Sequence, residues 1–135
     1  MAEAAVAIAP EGGWPAPQVN RLDDGRLHLQ DGPIDLVIGA DGARSAIETA
    51  YRAATQRFDG LLAALCTELP RLRGPVSPAA APFHNPVAQR MQAAVAPSAA
   101  EAFITPMAAV AGAVAEAVLA AMTAAAPLAR AYVNN

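Results

Sequence analysis

The stretch Arg26-Leu-His-Leu-Gln-Asp-Gly-Pro-Ile-Asp-Leu-Val-Ile-Gly-Ala-Asp-Gly42 decides how the chain folds. From Arg26 to Gln30 apolar and polar residues alternate, the period of a strand with one wet face. Ile34 to Ile38 is a short run rich in β-branched residues. Asp31-Gly32-Pro33 separates the two runs as a turn, which predicts a hairpin or two successive strands. Gly39-Ala40-Asp41-Gly42 then turns the chain into a helix. Asp41 or Ser45 is placed to cap its free N–H groups, and Ser45 and Glu48 stand at the capping-box spacing.

Beyond the turn, Ile47, Tyr51, Ala54, Phe58, Leu61, Leu65 and Leu69 recur at helical steps, predicting one amphipathic helix of about seven turns that ends at Pro70. Arg44, Glu48, Arg52, Thr55, Asp59 and Glu68 fall on its other face, so it lies on a sheet with one side in solvent. Pro70, Pro75, Pro78, Pro82 and Pro86 predict an extended surface linker over 70–86. Val87 to Ala96 is helical again until Pro97, and Ala102 to Ile104 reads as a short strand. Thr105-Pro106 starts a helix running to about Ala126, with Thr105 as its cap. The small residues Ala108, Ala111, Gly112 and Ala115 predict close approach of neighbouring backbones. Arg130 to Val133 reads as a buried strand. Residues 1–20, punctuated by proline and glycine without an apolar period, read as a flexible leader. The remainder, 21–135, is expected to be one α+β domain of layered sheet and helices.

A chain of 135 residues and 13.7 kDa suits one domain. Hydrophobic residues make up 55% of it and aromatic residues 4%; there are 37 alanines and no lysine. High hydrophobicity with low charge excludes disorder for most of the chain. A net charge of −3 with no basic cluster longer than Arg71-Leu72-Arg73 argues against nucleic acid as a partner. The lone Cys66 excludes an intrachain disulfide and fits a reducing compartment. The first ten residues lack the basic start of a secretory signal, so a cytoplasmic protein is expected. Pro106 to Ala126 carries Glu116 as its only charge, yet a central glutamate and weakly apolar alanines disfavour a membrane span. A helix enclosed by protein on most sides is expected instead.

Phe103-Ile-Thr-Pro-Met-Ala-Ala-Val-Ala-Gly-Ala-Val-Ala-Glu116, followed by Ala131-Tyr-Val-Asn-Asn135, resembles a bacterial and archaeal family related to ApbE. The ApbE proteins are FAD:protein FMN transferases once described as thiamine-biosynthesis lipoproteins. Arg26-Leu-His-Leu-Gln, Gly32-Pro-Ile-Asp-Leu and Pro86-Val-Ala-Gln-Arg-Met also look like the family, so the resemblance covers most of residues 26–135. It implies half of an ApbE-like, T-fold-type domain. In the transferases the matching helix carries a Lys-Gly pair and an acid four residues after the glycine. Gly112 and Glu116 match, while Ala111 stands where the lysine is expected. The resemblance also implies a Gly-Gly-Asp turn after Asn134-Asn135 and acidic and threonine magnesium ligands further on, so no complete magnesium site is expected here.

The candidate cofactor-binding residues are therefore Thr105, Gly112, Glu116, Asn134 and Asn135. Glu116, a carboxylate on a nearly apolar helix, must be ion-paired, solvated at an interface, or functional. Thr105 reads as a helix cap ahead of a ligand contact. Cys66, beside the apolar stripe, reads as core, and His28 and His84 show no metal-ligand spacing. The expected function is an N-terminal fragment or subunit that binds a flavin or pterin-like ligand once completed by a C-terminal polypeptide or a homo-oligomeric partner, and that is inactive alone. One alternative is an interaction or structural subunit without catalysis. Another is a small flavin-contacting protein, because Asp35 to Glu48 resembles the second flavin motif of flavoprotein monooxygenases, although no Gly-x-Gly-x-x-Gly precedes it.

Overall fold

The computed structural model describes residues 16–77 and 79–135. A four-stranded antiparallel sheet runs in the order β1 (Gln18–Arg21), β2 (Leu27–Asp31), β3 (Ile34–Asp41) and β4 (Arg130–Asn134). The expected hairpin is β2–β3, with Leu29 opposite Leu36 and Asp31 opposite Ile34. Its alternation works as the pattern requires: Leu27, Leu29, Leu36 and Ile38 are buried on one face. His28 and Asp35 meet diagonally on the other, His28 Nε2 lying 2.6 Å from Asp35 Oδ1.

Strand β1 begins at Gln18, inside the stretch expected to be a leader, while residues 1–15 of that stretch lie outside the described residues. All four of its residues are exposed, as an edge strand allows, so no apolar period marks it. The long helix divides into α1 (Arg44–Phe58), α2 (Leu61–Cys66) and α3 (Leu69–Leu72). Gly60 breaks it at φ 77°, a left-handed backbone that glycine adopts without a Cβ penalty. Pro70 sits in the first turn of α3, where its missing N–H costs nothing. Neither Asp41 nor Ser45 caps α1: Ala43 holds the cap position without a side-chain bond, and Glu48 instead pairs with Arg21.

The proline-rich stretch is shorter than 70–86. Asn85 caps α4 (Pro86–Val95) by accepting from the Val87 and Ala88 N–H groups, and Pro86 occupies its first turn. Ala102–Ile104 is not a strand. Pro106–Ala109 forms a 3₁₀ turn leading into α5 (Val110–Ala125), and Thr105 precedes it in extended conformation without capping it.

Helix α1 packs against α5, and both lie on the inner face of the sheet, enclosing a core of Leu29, Leu36, Ile38, Phe58, Val114, Val118 and Met122. Only one face of α5 is enclosed. The small residues Ala108, Ala111 and Gly112 are exposed, and open space surrounds the position of a Cβ on Gly112. Pro106–Ala125 is long and apolar enough to cross a membrane by length and composition, and most of it is not buried. Strand β4 closes the sheet beside β3 as a half-exposed edge strand, not a buried one.

Candidate functional site

Two of the described concavities lie at opposite ends of β3, which its eight residues separate by roughly 23 Å. At the Ile34 end, a cavity of about 250 Å³ opens between α2, α3, α4 and the head of α5. Pro33, Ile34, Leu62, Leu65, Leu69, Leu72, Met91, Met107, Val110 and Ala111 form its walls, with Cys66 and Asn135. Among the described residues, no charged side chain lines it. The break at Gly60 separates α1 from α2, and beyond it Leu62, Leu65 and Leu69 line the cavity while buried against the core.

Asn135 closes one side. Strand β4 carries it past the pairing of Asn134 with Val37, and its Nδ2 donates to the Ala111 carbonyl at 3.2 Å. That bond joins the two halves of the 103–135 motif. Cys66 is half-buried on the opposite wall; burial, helped by the nearby charge of Asp31, pushes its thiol above the usual range and keeps it protonated at neutral pH.

Of the five residues expected to bind a cofactor, only Asn135 lines the cavity. Gly112 follows the bonded Ala111 and is exposed. Thr105 is half-buried upstream of the wall residue Met107, and Asn134 is exposed at the end of β4. Glu116 lies further along α5, where its Oε2 accepts from Arg90 Nη1 at 2.8 Å. Both side chains of this pair are more than half exposed, so it is a solvated ion pair between α4 and α5. The walls themselves escaped sequence reasoning because Leu, Met and Val at helical spacing signal burial without distinguishing a filled core from a hollow one.

At the Asp41 end, β3 runs beyond β2 and leaves a polar cleft of about 520 Å³ lined by Asp24, Arg26, Asp41, Tyr51, Arg130 and Tyr132. Its charges are engaged within the chain: Arg26 bonds Asp24 at 2.8 Å and Arg130 bonds Asp41 at 2.9 Å. The segment Asp35–Glu48 forms the expected strand, turn and helix, with Asp35 bonded to His28, Asp41 to Arg130 and Glu48 to Arg21. Among the described residues, no group of three or more His, Cys, Asp or Glu side chains is placed to hold a metal ion.

The test of an implied flavin is the lining. The cavity's chemistry suits an aromatic ring, but its uncharged lining has no group to match a phosphate. A magnesium ion has no ligand set among the described residues.

A family model described as AbpE bacteria matches residues 19–135. No curated protein and no solved structure matches the chain. The matched span runs from β1 through Asn135 and takes in both the cavity and the motif that closes it; the chain belongs to the AbpE bacteria family, an ApbE-related one.

Proposed function

We propose that this chain is the ring-holding part of an ApbE-like protein, with the cavity at the head of α5 receiving a flavin or pterin-like heterocycle. The observation that carries this is the meeting of Ala111 and Asn135 at an apolar cavity, since both belong to the motif that resembles the ApbE-related family, with Ala111 standing where the transferases carry a lysine. Apolar walls would exclude water from the ring faces, and the Asn135 carboxamide would orient a polar edge. Phosphate and magnesium contacts, and with them any flavin transfer, would come from a complementary C-terminal polypeptide or another copy.

Riboflavin fluorescence titrated with the full-length protein tests this. Saturable quenching that Ala111→Trp abolishes is expected; Ala111 is exposed at the rim, so the bulky ring blocks entry without entering the core. Absence of quenching by riboflavin, FMN and FAD alike would remove the proposal.

The exposed surface before and at the start of α5 favours a second reading, a subunit whose role is assembly. Phe103 is 78% exposed, and Ala108, Ala111 and Gly112 offer a smooth apolar surface nearby in sequence. Sedimentation velocity should then show an assembly that Phe103→Ser together with Ala108→Glu dissociates. A monomer unaffected by both substitutions excludes it.

A further inference from the structure

Resting on the ring-holding role of the cavity, we infer that it selects the benzenoid edge of its ligand: a neutral, hydrocarbon-rich two-ring system enters, and a polar edge stays at the rim beside Asn135. Size is the first reason. An engineered apolar cavity of roughly 150 Å³ holds benzene, so the approximately 250 Å³ here has room for two fused rings. Polarity is the second. Leu65, Leu72, Met91 and Val110 offer a ring no hydrogen-bond partner from their side chains. Each amide-like group buried among them unpaired weakens binding by roughly ten- to a hundredfold. A pteridine carries ring nitrogens in both rings, so whichever ring enters buries acceptors with no partner among these side chains. The dimethylbenzene end of a flavin buries none.

Asn135 supplies the third reason. Among the described residues it is the only lining side chain with a carboxamide, and its Nδ2 is tied to the Ala111 carbonyl at the rim. An imide edge held outside the walls therefore finds a partner there. The uncharged lining adds that a phosphate ester contributes nothing inside the cavity, so binding by this chain should be insensitive to salt.

Competition against riboflavin on the full-length protein tests the inference, using 6,7-dimethylquinoxaline as the benzenoid two-ring probe and lumazine as the pteridine probe, each also titrated directly by calorimetry. Dimethylquinoxaline should displace riboflavin, and lumazine should need at least roughly tenfold more. Asn135→Leu should weaken riboflavin roughly three- to tenfold and leave dimethylquinoxaline within about twofold. Lumazine competing as well as dimethylquinoxaline, or Asn135→Leu weakening both alike, overturns the selectivity while the ring-holding role stands. Direct binding of dimethylquinoxaline without any riboflavin binding does the reverse: the flavin reading fails and the benzenoid cavity remains. If neither binds, both fail.

Discussion

Two carboxylates stand out in apolar surroundings, and they resolve in opposite ways. Glu116, conspicuous in the sequence, is exposed and paired with Arg90. Asp31, which the sequence offered only as a turn residue, is 7% exposed at the end of β2. Burial, reinforced by the charge of Asp59, raises its carboxyl above the usual range. A raised acid gives stability that is present at low pH and lost as pH rises through its folded pKa, because the folded state then carries the charge it disfavours. Asp31→Asn should therefore raise the Tm at neutral pH, with the gain shrinking as both proteins are acidified below the ordinary carboxylate range; calorimetry across pH reads it, and no gain at neutral pH contradicts it. Glu68 has the opposite sign. Burial pushes it up, but N–H bonds from His84 and Asn85 at 3.0 and 2.9 Å outweigh burial and hold it below the usual range. Its contribution is present at neutral pH and lost on acidification. Glu68→Ala should cost about 1 kcal/mol in urea denaturation at neutral pH, and a difference that persisted below the folded pKa would contradict this origin.

At the scale of elements, periodicity reports which way residues face, not whether a helix is continuous. Phe58, Leu61, Leu65 and Leu69 keep helical spacing because all four reach the same core, yet the backbone breaks between Phe58 and Leu61. Asp59-Gly60 was the local signal of the break. Open space surrounds the position of a Cβ on Gly60, so the demand there is purely one of backbone conformation. Gly60→Ala should cost roughly 1 kcal/mol by urea denaturation; a neutral or stabilising result would mean that α1 and α2 can join as one helix. Because Leu62 and Leu65 of α2 line the cavity, the same change should lower riboflavin affinity beyond what global stability accounts for. The β2–β3 hairpin was legible because alternation and turn chemistry are both local. Strand β1 was not, since its pairing with β2 leaves all its side chains exposed.

For the whole molecule, the sheet brings together what the sequence holds far apart. Asn135 reaches Ala111 only because β4 returns antiparallel to β3 in a fixed register, a long-range fact that no local pattern encodes. That register is set partly at the opposite end of the strands, where Tyr132 stands opposite Gly39 and its ring covers the space a Cβ would need. Gly39→Val should displace the ring and destabilise the protein by roughly 1–3 kcal/mol. Because β4 is an edge strand, the strain should fall mainly on it: its amide hydrogens should exchange faster while those of β2 change little. Since β4 also carries Asn135, riboflavin affinity should fall with the exchange protection although Gly39 lies far from the cavity. A double-mutant cycle isolates the cause. Tyr132→Ala removes the ring, so adding Gly39→Val to it should cost less than in the natural chain. Equal costs in both backgrounds would show that the valine acts through the backbone of β3 and leave the coupling between the two ends of the sheet without support.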